Sequence, residues 1–419
     1  MKYLMYSEFS EGAGVLLKIQ QEEEDAGLFI KDRVYRDCYD GIVSKEETPN
    51  INSDTLVIFD MSGNGKKGDE FRSLGAKVFG SSPIADKLEH DRDFGFEVME
   101  SCGILVPTTK KFKTFKEGIN YTKNFDGKLV FKPNGSMPCK LTYCSSDNEE
   151  LVAYLNFVDK QFGSEIDDFI LQEFLEGVVV SSEAFCDGKK FLRPFNHTVE
   201  VKKFMDGDKG PSTGCSGNIT WACWGCNICE NGVALAEKFC VKHDYVGQID
   251  LNAVVNEDGI HGLEWTPRFG YDATPIFLTL LDIPYSKFFS DVCSGQIKEI
   301  PVKEEYAGSV RFSIPPYPAE LQDGQDSEKF SPNVGIPIQN WHESFDSIYF
   351  YEVKIDGNEL VHSHGTGVIG LVWDHNDSPE KTLDKPYGIL DKLHIPDLQF
   401  RTDLQSVLGK MVTEVNDYA

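Results

Sequence analysis

The chain has 419 residues, of which 40% are hydrophobic and 26% charged, a balance typical of a folded globular protein. Its 41 basic and 68 acidic residues give a formal charge of −27, which argues against nucleic acid or an anionic membrane as the main partner. A chain of this length exceeds the size of one hydrophobic core, so two or three domains are expected. Any phosphate-binding site must be a local basic patch.

Targeting and membrane signals are not recognisable in the sequence. The apolar run from Met1 to Tyr6 is too short for a signal peptide, and no run reaches the roughly 18 apolar residues that a membrane-spanning helix needs. The chain carries 11 cysteines, an odd number. Without a secretory signal, this count predicts reduced thiols and a cytoplasmic protein.

Residues 1–86 predict a small α/β unit. Leu56 to Phe59 predicts a buried strand, Asp69 to Leu74 a helix and Ala76 to Gly80 another strand. The glycines in the loop from Asp60 to Lys67 are able to present backbone N–H groups to an anion, and a plain loop is the alternative.

The next segments predict a helix and a strand. A helical period extends from Lys87 to Cys102, and Gly103 is expected to be its C-cap. The strand from Leu129 ends in Lys132 and precedes a loop of small and turn residues, 133–140. Such a lysine neutralises nucleotide phosphates, and a mobile loop closes over a triphosphate. A plain surface loop is the alternative.

The stretch from Val246 to Trp265 predicts a β-hairpin, because two alternating segments flank the turn sequence Asn-Glu-Asp-Gly. A three-residue loop ending in the turn glycine would place Asn252 opposite Glu264 and Asp250 opposite Thr266. Four oxygen-bearing side chains on one face suit a hard cation such as Mg²⁺. A loop of another length would break the cluster, and a solvent-facing polar hairpin is the alternative.

Three motifs carry a family resemblance. The run Glu264 to Gly270, E-W-T-P-R-F-G, resembles the acidic E-x-N-x-R-F-G motif of ATP-grasp ligases, most closely that of the phosphoribosylamine–glycine ligase family. The segment Lys202 to Asn218 resembles the K-R-x-x-D-G-D-x-G-P-N-T-G-G-M-G motif of that family, and Phe169 to Gly177 its adenine-binding linker. Gly-Pro and Thr-Gly steps within the second motif predict a rigid turn suited to a carboxylate and its acyl phosphate. The resemblance covers roughly residues 70–375.

The resemblance implies a role for each of a set of residues around the nucleotide, the metal and the acyl phosphate. The implied phosphate-binding residues are Arg92, Lys132 and Lys202, and those near adenine and ribose are Gln172, Glu173, Phe174, Leu175 and Glu183. The implied ligands of Mg²⁺ or Mn²⁺ are Glu264, Thr266, Asp250 and Asn252. The residues implied at the acyl phosphate are Arg268, Lys202 and Thr213.

The sequence also departs from the family pattern. Val179 stands where the family has an acid that binds ribose, so either Glu176 or Glu183 replaces that acid or nucleotide affinity is reduced. Thr266 replaces the asparagine of the acidic motif. The N-terminal G-G-R-E-H and G-P-E-x-P-L segments, which help the family to hold a ribose phosphate, have no counterpart here.

A cysteine-rich segment follows the second motif. Cys223, Cys226 and Cys229 have the ligand spacing of a zinc or iron–sulfur site. Further candidate ligands nearby in sequence are Cys215, Cys240 and His243. Reduced, partly buried cysteines without a metal are the alternative.

The predicted fold is therefore α/β (α+β), an ATP-grasp fold in three parts. Residues 1–86 form an N-terminal α/β domain on the substrate side, residues 87–300 the ATP-grasp domain with a nucleotide lid at about 108–180, and residues 301–419 a strand-rich C-terminal domain. The strands of the last part are expected at 309–314, 348–353, 360–363 and 367–372.

The resemblance implies an ATP-dependent ligase. ATP phosphorylates a carboxylate, and an amine then displaces phosphate to give an amide; in the family, glycine joins 5-phosphoribosylamine in purine biosynthesis. The implied small-molecule partners are ATP, glycine or another small carboxylate, and a phosphorylated amine, bound by a monomer or dimer. Two alternatives stay open: a ligase with another amine acceptor, which the divergent N-terminal part favours, and a nucleotide-binding protein without catalysis, which Val179 and Thr266 favour.

Overall fold

The computed structural model describes residues 1–133, 141–319 and 333–419, which form a mixed α/β structure. The strands are β1 (Lys2–Ser7), β2 (Ala26–Ile30), β3 (Thr55–Phe59), β4 (Lys77–Phe79), β5 (Thr109–Phe112), β6 (Leu129–Pro133), β7 (Tyr143–Cys144), β8 (Phe169–Glu173), β9 (Val178–Asp187), β10 (Phe195–Met205), β11 (Lys209–Cys223), β12 (Val246–Asn256), β13 (Gly259–Thr266), β14 (Tyr306–Ser313), β15 (Ile348–Phe350), β16 (Val353–Asp356), β17 (Glu359–His362), β18 (Val368–Asn376) and β19 (Gln399–Phe400).

The α-helices are α1 (Ala13–Gln21), α2 (Gly65–Ser73), α3 (Pro83–His90), α4 (Arg92–Cys102), α5 (Phe115–Asn124), α6 (Asn148–Phe162), α7 (Asn227–Glu230), α8 (Glu237–Lys242), α9 (Ala273–Leu278), α10 (Tyr285–Ser294), α11 (Asp384–Leu390) and α12 (Leu404–Tyr418). Short 3-10 helices span Arg33–Tyr35, Val233–Ala236, His342–Ser347 and Pro379–Lys381. None of the described helices combines the length and hydrophobicity that crossing a membrane requires.

The N-terminal part is a four-stranded parallel sheet in the order β2-β1-β3-β4. The strands predicted around Leu56 and Val78 are confirmed as β3 and β4, and every residue of β3 is buried. The helix predicted between them is α2, which begins four residues earlier than expected, at Gly65.

The single helix predicted up to Cys102 is wrong in one respect, because two helices, α3 and α4, meet at Asp91. The Asp91 side chain accepts a hydrogen bond from the Phe94 amide at 3.1 Å and caps the second helix. An N-cap needs extended backbone, so the first helix has to end there. The C-cap is confirmed: Gly103 has a left-handed backbone with φ of 86°.

A small antiparallel sheet, β5-β8-β6-β7, together with α5 and α6, has its own apolar core around Phe131, Leu155 and Phe169. A separate core allows this unit, which lies within the lid predicted at 108–180, to be a compact body. The glycine- and serine-containing part of the predicted lid loop, 134–140, lies outside the described residues.

The largest sheet has nine strands. Eight follow the order β13-β12-β9-β10-β11-β14-β18-β15, and β19 pairs with β14. The strands β13, β12, β9 and β10 at one end of this order carry the candidate site. The C-terminal strands continue the other end, so residues after 300 add strands to the sheet that holds the site. The strand predicted at 348–353 is divided between β15 and β16 at Glu352, whose carboxylate accepts hydrogen bonds from the Gly367 and Val368 amides at 2.6 and 3.0 Å.

Candidate active site

The β12–β13 hairpin brings together the four oxygen-bearing side chains predicted from the sequence. Asp250 pairs with Thr266, and Asn252 pairs with Glu264, as expected. Side chains of residues paired in this way lie on the same sheet face. Glu264 is open to the cleft, whereas the other three are buried.

The pairing is reached by a different route from the predicted one. Asn256 pairs with Gly259, so the loop has two residues instead of three. That change alone would shift the register and move the acidic side chains to the wrong face. A register shift between Asn252 and Ala253 leaves Leu263 as an extra residue, and this β-bulge restores the pairing.

A buried carboxylate extends the polar face onto β9. Glu183 pairs with Asp250, and its carboxylate accepts hydrogen bonds from Asn196 at 2.6 Å, Thr198 at 2.9 Å and Gln248 at 2.7 Å. Burial raises the pKa of Glu183 to about 7. Any contact between Glu183 and ribose would have to compete with these three hydrogen bonds.

The side chains of Asn252 and Asp250 are oriented toward each other. Asn252 Nδ2 donates to Asp250 Oδ2 at 2.9 Å, which directs the amide oxygen of Asn252 away from that carboxylate. Asp250 Oδ1 is buried and has no hydrogen-bond partner among the described residues. Burial raises the pKa of Asp250 well above its usual range. A divalent cation fits this set, because it would supply the positive charge that these oxygens lack.

Three basic side chains surround Glu264. Burial lowers the pKa of Lys132 to about 8, and the positive charges of Arg92 and Lys202 act in the same direction. Desolvation in the cleft acts to lower the pKa of Lys202 as well. Nearby carboxylates outweigh this effect, and the pKa of Lys202 is raised above its ordinary value. For Glu264, desolvation within the cleft acts to raise the pKa, but the neighbouring cations outweigh it and the pKa is lowered. The site thus combines a charged acid with a local basic patch.

Gln172, predicted near adenine, lies beside Lys132, the lysine predicted to contact the phosphates. Its Oε1 accepts a hydrogen bond from Lys132 Nζ at 2.7 Å, and its Nε2 donates to Thr109 Oγ1 at 3.1 Å. These two bonds connect Lys132 on β6 with Gln172 on β8, and Gln172 in turn with Thr109 on β5. Gln172 is therefore placed to position the lysine.

The linker residues at the end of β8 and directly after it are hydrogen-bonded to the small sheet. The Glu173 amide donates to the Thr108 carbonyl at 2.8 Å, and the Phe174 amide donates to the Lys128 carbonyl at 2.9 Å. Among the described residues the Leu175 amide donates to no protein acceptor. The Leu175 amide is consequently one backbone donor of this linker that could bind the edge of a ligand.

A cavity of about 530 Å³ lies between the linker, the large sheet and the C-terminal helix α12. Val179 is 41% exposed and lines it. The carboxylates that line it are Glu200, Asp208 and Glu414, the last contributed by α12. Glu176, one of the acids expected to replace the missing ribose ligand, does not line this cavity.

The segment after Lys202 is an irregular strand, so the rigid turn predicted for its Gly-Pro and Thr-Gly steps is wrong. Residues Lys209–Cys223 form β11 and pair with β10, but register shifts leave residues 213–216 without a paired residue on β10, and Gly210 has a left-handed backbone with φ of 75°. Thr213 Oγ1 donates to the Lys202 carbonyl at 2.8 Å and lies 3.3 Å from Ser216 Oγ. Thr213 thus supports the backbone of Lys202.

Arg268 is held by an acid that the sequence analysis did not single out. Its Nε donates to Glu89 Oε1 at 3.1 Å, and its guanidinium lies 4.6 Å from the centre of the Tyr271 ring. Glu89 belongs to α3, so this ion pair connects the acidic motif to the N-terminal helices. The side chain of Arg268 is 10% exposed, which fixes its position at the edge of the site.

A second buried arginine was also missed. Arg311 Nε donates to Asp272 Oδ2 at 2.9 Å, and the Tyr351 hydroxyl donates to Asp272 Oδ1 at 3.2 Å. Both this arginine and Arg268 act electrostatically on Glu200, whose pKa is raised by burial. Residue alternation along β14 indicates that Arg311 is directed toward the interior. No spacing in the sequence connects Arg311 with Asp272.

Placing an acid at the cavity wall should restore the missing ribose ligand. Val179→Glu is expected to tighten ATP binding by one charged hydrogen bond, roughly 1.5 to 3 kcal/mol or at least a tenfold lower Kd. Calorimetric titration with ATP measures the effect. The neutral variant Val179→Gln is the control and should gain less. An unchanged Kd for Val179→Glu would show that another group, such as Glu414, already fills this role.

Comparison with known proteins agrees with this geometry. Residues 90–272 match the family model of the phosphoribosylglycinamide synthetase ATP-grasp (A) domain. The phosphoribosylamine–glycine ligase of Streptococcus pyogenes serotype M1 is 26% identical over 360 residues, covering 81% of this chain and 80% of that protein. The corresponding ligase of Streptococcus pneumoniae serotype 4 is 29% identical over 352 residues, with 81% and 80% covered.

Solved structures confirm the predicted fold. The phosphoribosylamine–glycine ligase of Thermotoga maritima superposes with a TM-score of 0.71 at 19% identity and covers 96% of this chain and 99% of that one. The biotin carboxylase domain of the Hydrogenobacter thermophilus 2-oxoglutarate carboxylase, solved with MgADP and bicarbonate, has a TM-score of 0.62 at 14% identity and covers 100% and 95%. At these identities the likeness concerns the ATP-grasp fold alone.

Proposed function

We propose that this divergent member of the phosphoribosylamine–glycine ligase family, within the ATP-grasp superfamily, joins glycine to 5-phosphoribosylamine at the expense of ATP. The observation that carries the proposal is the pairing of Asn252 with Glu264 directly beside Lys132 and Lys202. Oxygen ligands next to paired basic side chains suit a nucleotide triphosphate with its metal. The reaction belongs to purine biosynthesis, and we place the enzyme in the cytoplasm on account of the free cysteines among the described residues.

In the proposed reaction the glycine carboxylate attacks the γ-phosphorus of ATP and releases ADP. The amine then attacks the carbonyl carbon of glycyl phosphate, forms the amide bond and expels phosphate, and the proton that the amine loses passes to phosphate or water. Phosphate leaves far more readily than hydroxide, so the two steps together avoid a difficult direct condensation.

Mg²⁺ or Mn²⁺ supplies charge neutralisation on the transferred phosphoryl group. Glu264 and the amide oxygen of Asn252 are the residues that would hold it at the open side of the cleft. Asp250 orients Asn252 through its 2.9 Å hydrogen bond, and Thr266 completes the set on the neighbouring strand. Replacement of the family's asparagine by Thr266 leaves Asn252 as the amide ligand of this face.

The basic side chains hold the phosphates in position. The Lys132 ammonium is anchored by Gln172 before the nucleotide binds, and the backbone that carries Lys202 is supported by Thr213. Arg92 completes the patch at the start of α4. Arg268, fixed by Glu89, is placed to stabilise the acyl phosphate.

A second candidate, a ligase for a different amine acceptor, is favoured by one observation in the N-terminal part. The Asp86 carboxylate accepts hydrogen bonds from the Gly63 and Gly65 amides, both at 2.7 Å. The sequence left open whether backbone amides in this loop bind an anion or form a plain loop, and a protein carboxylate already uses two of them. A phosphorylated acceptor would need other donors here.

The release of ADP tests both candidates. ATP, Mg²⁺ and glycine are supplied with and without 5-phosphoribosylamine, and the amide product is identified by mass spectrometry. Product formation only with phosphoribosylamine supports the first candidate. ADP and an amide formed only with another amine support the second, and ATP binding without turnover under any condition would establish a non-catalytic nucleotide-binding protein.

The acceptor is expected to depend on the two lysines at the start of α2. Lys66 is exposed, and Lys67 is paired with Glu70 at 2.6 Å. The double variant Lys66→Ala/Lys67→Ala should raise the apparent KM for phosphoribosylamine about tenfold, the loss of one charge-assisted hydrogen bond, and leave the KM for ATP unchanged.

The matched control is Lys238→Ala/Lys242→Ala, which removes the same charge from the exposed face of α8. Steady-state kinetics with each substrate varied in turn distinguishes the two variants. If the control raises the acceptor KM as much as the α2 variant, the effect is general electrostatics and the acceptor site lies elsewhere.

A further inference from the structure

Four potential metal ligands converge at one end of the β10–β11 hairpin. They are His197, Cys223, Cys226 and Cys229, and their ligand atoms all lie within 4.8 Å of one another. His197 comes from β10, 26 residues before the first of the three cysteines in the sequence. His243, the histidine suggested by proximity in the sequence, is not a member of the group.

The three cysteines lie on a tight connection between strand and helix. Cys223 ends β11 and Cys226 is the N-cap of α7, with its sulfur accepting a hydrogen bond from the Cys229 amide at 3.3 Å. Gly225, between the first two cysteines, has φ of 69°, a left-handed backbone that lets the chain turn back on itself. An amide directed at a cysteine sulfur stabilises a thiolate, the form that binds metal.

The histidine is presented in the orientation that a ligand requires. Its Nε2 lies 3.0 Å from the Cys226 sulfur and 3.6 Å from the Cys229 sulfur. The other ring nitrogen, Nδ1, lies 3.1 Å from the Ser182 hydroxyl. Metal-binding histidines characteristically use the second nitrogen for such a hydrogen bond, which fixes the ring and the tautomer. His197 is completely buried, so this arrangement is built into the core.

We propose that the reduced chain binds one zinc ion through His197, Cys223, Cys226 and Cys229. Three cysteines and one histidine are a standard donor set for a closed, tetrahedral structural zinc site. With metal–sulfur bonds of about 2.3 Å, such a site holds its ligand atoms about 3.8 Å apart, within the limit seen here. The three thiols release their protons when the metal binds.

Two other fates of the cysteines are less consistent with the convergence. An iron–sulfur cluster fills the space between its ligands and normally takes four thiolates, whereas one ligand here is an imidazole. The Cys223 and Cys226 sulfurs are placed in bonding contact as a C-x-x-C disulfide, but that bond accounts for two of the four groups and leaves Cys229 and His197 unexplained.

The zinc site would have a structural role at a distance from the reaction. It ties the connection after β11 to β10, the strand that also carries Thr198 and Lys202 into the candidate active site. Fixing this end of the hairpin limits the movement of both strands. No proposed substrate contact involves the four residues of the cluster. The zinc proposal can therefore be tested independently of the proposed ligase activity.

Metal analysis of the full chain tests the proposal. Protein expressed with zinc and purified under reducing conditions is expected to contain one zinc per chain by inductively coupled plasma mass spectrometry. Cys226→Ser and Cys229→Ser should lose it, and serine at 226 still caps α7. The control Cys102→Ser, at the end of α4 and outside the cluster, should retain it. Cobalt exchanged into the parent should give the thiolate charge-transfer bands of a tetrahedral centre.

A histidine variant pair keeps the test informative if a cysteine variant does not fold. His197→Cys completes a four-cysteine zinc set and is expected to retain zinc, whereas His197→Phe should lose it. A chain without metal whose thiol titration shows Cys223 and Cys226 oxidised under the same conditions overturns the proposal. Iron with acid-labile sulfide in place of zinc, or zinc retained by Cys226→Ser and Cys229→Ser alike, overturns it equally.

Discussion

Glu264→Gln is expected to abolish turnover while the fold stays intact. The substitution keeps the size of the side chain and removes the negative charge that Lys202, Lys132 and Arg92 stabilise at the open side of the cleft. Loss of this charge from a divalent-cation site should reduce kcat by about a thousandfold or more. ADP release measures turnover, and Mn²⁺ binding followed by electron paramagnetic resonance should weaken in parallel.

The control for this variant is Glu257→Gln in the loop of the same hairpin. Glu257 is fully outside the polar face, at the exposed turn between β12 and β13, so the same change there should leave kcat and Mn²⁺ binding unaltered. Equal melting temperatures of the two variants would show that the fold is retained. Undiminished ADP production by Glu264→Gln would remove the acidic face from the mechanism.

Much of the hairpin could be predicted from the sequence because residue alternation determines which side chains share a face. The partners of Asp250 and Asn252 were correct, yet the loop length assumed for them was not. A β-bulge at Leu263 compensates for the shorter loop, and bulges leave almost no trace in composition. Residue alternation therefore predicted which side chains share a sheet face. The two-residue loop and the β-bulge that produce this arrangement were visible only in the structure.

Helix and turn signals near the site were less reliable. The apolar period that ends at Cys102 continues across Asp91, but capping by the Asp91 side chain divides it into two helices. Glycine and proline steps after Lys202 suggested a turn, whereas Lys209–Cys223 is a strand that pairs with β10 and is interrupted by register shifts. In both cases a hydrogen bond made in the folded chain outweighed a local preference.

Contacts between distant segments could not be predicted from one sequence. His197 joins the three cysteines only because β10 and β11 pair, and Arg311 reaches Asp272 only because β14 adds to the same sheet. Neither spacing nor alternation records which strands become neighbours. The cysteine spacing suggested a metal site, and the strand topology places His197 beside the three cysteines.

The pH dependence of nucleotide use is expected to report on Lys132. Burial lowers the pKa of Lys132 to about 8, so the free enzyme carries this positive charge below pH 8 and loses it above. Lys202, whose pKa is raised, retains its charge across the same range. Since kcat/KM reflects ionisations of the free enzyme, kcat/KM for ATP should fall by about tenfold per pH unit above 8, about a hundredfold by pH 10.

Lys132→Arg separates this group from the others in the site, because arginine stays protonated throughout that range. The variant is expected to have a lower kcat/KM at pH 7, since its planar head cannot reproduce the bond from Lys132 to Gln172, but a flat profile between pH 8 and 10. Stopped-flow or steady-state assays with saturating Mg²⁺ at each pH provide the comparison. A decline of equal steepness in Lys132→Arg would assign the ionisation to another residue, and a flat parent profile would show that Lys132 keeps its proton in the free enzyme.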